Sequence, residues 1–218
     1  MIPKKIHYCW FGGNEISPLI QECIKSWHKY LPGWEFMLWN EGNSPLEHPF
    51  VKKALKEKKY AFVADYVRAY ALYTYGGVYL DTDMELIKDI TPLLQHDFFA
   101  AYEDNDFNKV SCGVIGCVKE HLMMKNLLNF YDNNNNFYKT MPYILGGVYK
   151  EYHKEHDVVF VSDTFYPYNP FDTSKPVKQL MFKDVKESTY AIHHWNYSWK
   201  FNIYERIINK IKRMVNES

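Results

Sequence analysis

The stretch that decides the reading is Ala61-Phe62-Val63-Ala64-Asp65-Tyr66-Val67-Arg68-Ala69-Tyr70-Ala71-Leu72-Tyr73-Thr74-Tyr75-Gly76-Gly77-Val78-Tyr79-Leu80-Asp81-Thr82-Asp83. From Ala61 to Tyr75 apolar and aromatic residues occupy the whole circumference of a helix, with Asp65 and Arg68 as the sole charges. Such a helix is buried on all sides. Gly76-Gly77 ends it, because glycine tolerates the left-handed cap conformation. Val78-Tyr79-Leu80 follows as a short buried strand and runs straight into Asp81-Thr82-Asp83.

Two features of this stretch carry chemistry. Asp65 and Arg68 are three apart and share a helix face. Burying both costs several kcal/mol per ion unless partners compensate, so they form either a structural ion pair in the core or the lining of a cleft that binds a polar ligand. Asp81 and Asp83 stand at a strand end, where ligands bind in open α/β sheets. On an extended chain, acids at i and i+2 project to one side. Two carboxylates that close repel unless a cation joins them. Hard divalent cations such as Mn2+ or Mg2+ suit such oxygen ligands. A D-x-D pair alone is a weak signal; the helix, glycine pair and strand ahead of it supply the context.

Working outward, strands are expected over 6–10 and 34–39, with a helix from Ser17-Pro18 to about Tyr30 between them. Ser17 is its cap and Pro18 its first helical residue. A short basic helix over 50–58 follows. Beyond Asp83 the pattern weakens: strands over 98–102, 110–118, 158–161 and 189–194, helices over 121–131 and 146–153, and an amphipathic helix over 203–215. Strands alternating with helices predict an α/β fold with a mostly parallel sheet.

With 218 residues and 47% apolar content, the chain can bury one large core. Lys+Arg and Asp+Glu are both 26, a balance that argues against general nucleic-acid binding. The 19 Tyr, 14 Phe and 6 Trp fill a core and also suit the faces of sugars and bases. Cys9, Cys23, Cys112 and Cys117 show no metal-finger spacing and read as buried thiols. The first residues lack a signal-peptide pattern and no apolar run spans a bilayer, so a cytoplasmic location is expected.

Ala64 to Arg68 and Leu72 to Asp83 closely resemble glycosyltransferase family 32, the D-x-D sugar-binding family, and are similar to the glucosyltransferase domains of large clostridial toxins. Ile2-Pro3-Lys4-Lys5-Ile6-His7-Tyr8-Cys9-Trp10-Phe11-Gly12 resembles the family's first strand, and His193-His194-Trp195-Asn196-Tyr197-Ser198-Trp199 its closing motif. The resemblance implies a GT-A fold: a single Rossmann-like α/β domain over 1–218, with a mixed, mostly parallel central sheet flanked by helices. Residues 1–100 would form the nucleotide-sugar half, 101–200 the acceptor side and C-terminal lid, and 201–218 a terminal amphipathic helix. It also implies retaining transfer of a hexose from a nucleotide-diphosphate sugar, a UDP-sugar favoured, to a glycan or lipid-linked acceptor in surface polysaccharide synthesis.

Carried over by position, Trp10 would stack on the donor base, and Asp65 and Arg68 would hold the donor sugar. Asp81 would face ribose and sugar hydroxyls and share the metal. Asp83 would hold Mn2+ or Mg2+ against the diphosphate, which Ser198 and Trp199 would contact. Toxin-like members place a Glu where Trp195 stands, and Trp cannot ligate. His194 is the expected replacement, with His193 and Asn196 as alternatives. His7 reads as core. Tyr102-Glu103-Asp104 and a helix opening at Gly146-Gly147 are weaker acceptor-side candidates. Arg206, Lys210, Lys212 and Arg213 on the last helix could touch the inner membrane face. The rival classes are a non-catalytic nucleotide-sugar or carbohydrate binder and a metal-dependent phosphoesterase.

Overall fold

The computed structural model describes residues 1–103, 109–134, 138–172 and 176–196. The expected terminal helix over 203–215 and the residues Asp104, Tyr197, Ser198 and Trp199 lie outside them.

The chain runs β1 (Lys5–Cys9), α1 (Pro18–Tyr30), β2 (Glu35–Trp39), α2 (Pro49–Lys56), α3 (Tyr60–Tyr75), β3 (Gly77–Leu80), β4 (Met84–Leu86), β5 (Phe98–Ala101), β6 (Val114–Cys117), α4 (Leu122–Asn133), α5 (Met141–Tyr152), β7 (Asp157–Phe160) and β8 (Ala191–His193). One six-stranded sheet has the order β2-β1-β3-β6-β5-β7, and β4 and β8 form a second, two-stranded sheet. Within the large sheet β6 alone runs against its neighbours: β1 pairs in parallel with β2 and β3, β5 with β7, and β6 is antiparallel to both β3 and β5. This is the mixed, mostly parallel α/β sheet expected from the sequence.

The sheet's two faces follow from strand alternation. Tyr79 of β3 joins α2, α3, α4 and α5 in one apolar cluster. Val78 and Leu80 face the other, with Trp27 of α1, Met84 and Leu86 of β4 and Ala191 of β8. Helix α3 closes Val63, Val67, Ala69, Ala71 and Leu72 to solvent, but it is not buried on all sides: Tyr70, Tyr73 and Thr74 are half-buried and Tyr75 is exposed. It stops at Gly76, whose φ is +64°. A Cβ on Gly76 would lie 2.6 Å from the backbone nitrogen of Lys119, so conformation and space both require glycine. The corner is pinned by His7. Its Nε2 donates to the Gly76 carbonyl at 2.9 Å, and its Nδ1 accepts from the Trp39 indole at 3.1 Å. All four cysteines are free and buried.

Three expectations change. The strand foreseen over 110–118 is shorter, Val114–Cys117: Ser111 turns its N–H to the Ala101 carbonyl at 2.9 Å, and the Cys112 and Gly113 carbonyls accept from Arg68 and from the Asp81 N–H instead. The helix foreseen from Gly146 begins at Met141, with Pro142 in its first turn, so both glycines are mid-helix. Strand β4 was not foreseen: three residues leave too short a pattern to read.

Candidate active site

Asp81 leaves β3 at the carboxyl edge of the sheet. Its N–H donates to the Gly113 carbonyl at 2.8 Å. Asp81, Thr82 and Asp83 are a turn, closed by the Met84 N–H on the Asp81 carbonyl at 3.0 Å. The two acids therefore converge through a turn and not along an extended strand.

Arg68 ties α3 to this turn. Its Nη1 donates to the Cys112 carbonyl at 2.8 Å and its Nη2 to Asp81 Oδ1 at 2.9 Å. The same Nη2 lies 3.6 Å from Asp65 Oδ1, and the guanidinium sits 4.2 Å from the Tyr79 ring centroid. The 65/68 pair is an ion pair, and through Arg68 it also touches Asp81 at the strand end. Burial opposes the charge of Arg68, yet Asp81, Tyr79 and Asp65 more than offset it and hold its pKa above the ordinary value. Burial pushes Asp65 up to about 7; Arg68 works against the rise and Asp81 adds to it. The Arg68 Nε and the Tyr131 hydroxyl, whose titration also feels Asp65, are buried without a hydrogen-bond partner among the described residues.

Strand β8 completes the group. It pairs antiparallel with β4, setting His193 opposite Met84. His193 Nε2 lies 3.2 Å from Asp83 Oδ1, the Asn196 N–H donates to Asp83 Oδ2 at 2.8 Å, and the His194 N–H donates to the Asp83 carbonyl at 3.0 Å. Burial works against ionising Asp83, but His193 and the Asn196 N–H hold its pKa below the ordinary value. One ligand atom each from Asp81, Asp83 and His193 lie within 4.8 Å of one another. The imidazole beside the acids is therefore His193. The expected His194, one residue past β8, bonds Glu85 Oε2 at 2.8 Å instead. Trp195, with φ of +52°, turns the chain so that Asn196 reaches Asp83.

Trp10 stands just past β1, on the edge where β3 ends, and its indole donates to the Asn14 carbonyl at 2.7 Å. Ser198 and Trp199 fall outside the described residues. Glu103 follows β5, with its N–H on the Lys109 carbonyl at 3.1 Å. The sequence reading missed Gly113 and Tyr166. A Cβ on Gly113 would lie 3.3 Å from Asp81 Oδ2 and 3.1 Å from the Tyr166 hydroxyl. That hydroxyl accepts the Val114 N–H at 3.0 Å. Glycine beside a strand is the signal of close approach that could have found the first; nothing local marks Tyr166.

The mixed sheet, with Asp81 and Asp83 at its carboxyl edge, has the GT-A fold. Residues 17–100 match the family described as the glycosyltransferase sugar-binding region containing the DXD motif. A fission yeast protein named inositol phosphoceramide mannosyltransferase 3 (Schizosaccharomyces pombe) is 30% identical over 157 residues, which is 68% of this chain and 43% of that protein. An uncharacterised glycosyltransferase of Acanthamoeba polyphaga mimivirus is 32% identical over 130 residues, 56% of this chain and 52% of that one. The chain thus spans about half the length of these curated relatives. Among solved structures, the PaToxG glycosyltransferase superposes with a TM-score of 0.55 at 19% identity, covering 69% of this chain and 70% of that one. Residues 17–100 thus resemble the DXD-containing sugar-binding region of glycosyltransferases, on a fold that the PaToxG glycosyltransferase shares.

Proposed function

We propose that the chain moves a hexose from a nucleotide-diphosphate sugar, with a UDP-sugar favoured, to a hydroxyl of a glycan or glycolipid acceptor, with retention of configuration. The supporting observation is the junction at Asp81, which Arg68 binds from one side and which shares the Asp83–His193 group on the other. The donor set of two carboxylates and one imidazole fits a divalent cation, and the imidazole favours Mn2+ over Mg2+. Held there, the ion would supply charge neutralisation for the departing diphosphate.

The chain's own residues do the rest. Asp65 and Arg68 hold the sugar hydroxyls, with the unpartnered Nε of Arg68 available as a donor. Asp81, fixed by Arg68, faces ribose and sugar and places fixed negative charge near the anomeric carbon as positive charge develops there. Trp10 stacks on the base, and Ser198 and Trp199 contact the diphosphate. The anomeric carbon–phosphate oxygen bond breaks as the bond to the acceptor oxygen forms. The departing phosphate oxygen takes the acceptor's proton, so no protein base is assigned. A role in surface polysaccharide synthesis, a cytoplasmic site of action and membrane contact through residues 203–215 belong to the same reading.

Turnover of a panel of UDP- and GDP-sugars with Mn2+ tests it. A mannosyl donor belongs in the panel because one curated relative is named a mannosyltransferase. Asp81→Asn and Asp83→Asn should each abolish hydrolysis and transfer; undiminished turnover in both refutes the assignment.

A further inference from the structure

The segment between β7 and β8 ends in a tip unlike the rest of the surface. Phe182 is 96% exposed, Val177 45% and Met181 42%. Phe182 opens a single 3-10 turn, Phe182–Asp184, and Lys178 and Lys183 flank it with exposed side chains. The acid in the tip is turned inward: Asp184 Oδ2 accepts the Met181 N–H at 2.9 Å. The tip is braced on both sides. The Tyr168 hydroxyl donates to the Lys178 carbonyl, and Lys186 pairs with Asp163. The brace leads to the site, since the Tyr168 carbonyl accepts the Trp195 indole N–H at 2.7 Å and Trp195 lies 4.2 Å, ring to ring, from His193.

Exposing three large apolar side chains together is unfavourable unless something covers them. A side chain almost wholly open to solvent stands on a convexity, whereas small ligands bind in concavities. A stable pairing of two copies needs roughly 800 Å² and about 20 residues from each partner, far beyond three side chains. A deformable partner suits such a tip: a bilayer takes in Phe182, Met181 and Val177, while Lys183 stays at the level of anionic headgroups. We infer that Val177, Met181, Phe182 and Lys183 form an interfacial anchor that seats this chain on a bilayer containing anionic phospholipid. This holds whether or not the transferase reading above is right, and it places a contact on the β7–β8 segment.

The test is co-sedimentation of the full chain with vesicles of phosphatidylcholine alone or with phosphatidylserine added. The intact protein binds the mixed vesicles more tightly. Phe182→Ser weakens partitioning about tenfold, the cost of removing one buried aromatic side chain from the apolar layer. Lys183→Glu weakens binding several-fold, on the mixed vesicles only. Neither variant shifts the melting temperature or the turnover of a soluble acceptor, since neither side chain packs in the core. The inference fails if the intact chain binds neither vesicle, if Phe182→Ser binds as tightly as the parent, or if Phe182→Ser instead dissolves a dimer seen by sedimentation velocity.

Discussion

Lowering the pH from 7 to 5 should weaken this fold by about 2 kcal/mol through one buried imidazole. His7 is closed to solvent, and burial holds its pKa down to about 4 from 6.5, with the Gly76 hydrogen bond opposing the shift and Lys5 adding to it. The geometry explains why a second proton is refused: Nε2 is already a donor, and Nδ1 must accept from Trp39, whose indole can only donate. The folded state therefore binds fewer protons than the unfolded state between pH 6.5 and 4. The stability from neutral His7 is present above 6.5 and is lost as pH falls, at about 1.4 kcal/mol per unit. Integrated, the loss is about 2 kcal/mol by pH 5 and about 3 by pH 4. Asp65, raised to about 7, contributes with the opposite sign, since its protonation favours the fold as pH falls. The assay is thus a difference: urea midpoints for the parent and His7→Gln at pH 7, 6 and 5. His7→Gln starts less stable, and its disadvantage should shrink by about 2 kcal/mol across that range, near 1 M in urea midpoint for a domain of this size. Parallel pH profiles would refute the argument that His7 is kept neutral.

Arg68→Met should cost about 3–5 kcal/mol in urea unfolding, because Asp65 and Asp81 lose the cation between them. NMR titration of Asp65 in that variant should show its pKa above the parent's value of about 7, since Arg68 lowers it in the intact protein. His193→Ala should weaken Mn2+ binding by at least about tenfold in calorimetry while His194→Ala leaves it near the parent's value, because His193 lies against Asp83 and His194 against Glu85. Gly116→Ala should destabilise by about 1–3 kcal/mol or more, read as a fall in melting temperature, since its Cβ would lie 2.1 Å from the Phe99 ring in the packed core. Gly113→Ala should lower turnover well before it lowers the melting temperature, because the added methyl group would stand 3.3 Å from Asp81 Oδ2.

Much of this protein is written along the chain. The unbroken apolar circumference of α3 forces most of it into the core, and two charges there require partners. Ser17-Pro18 starts α1, with the Ser17 hydroxyl accepting the Ile20 N–H at 3.4 Å as its cap position predicts. Gly76 marks where a helix must give way to a strand, and the acids after Leu80 mark the carboxyl edge. Each signal is local: periodicity, backbone freedom and the cost of a buried charge act within a few residues of one another.

What lay beyond the sequence depends on strands meeting across great separations. Whether His193 or His194 faces Asp83 turns on the register of β8 against β4, a pairing of residues 110 apart. A slip of one residue in such a pair exchanges the two faces, and adjacent histidines carry no mark of which is which. Gly113 lies against Asp81, and the Tyr166 hydroxyl against Gly113, only because β6 runs antiparallel beside β3 and the chain returns after β7. Local physics determined the elements and the charged side chains that need company; long-range packing decided which companions they have.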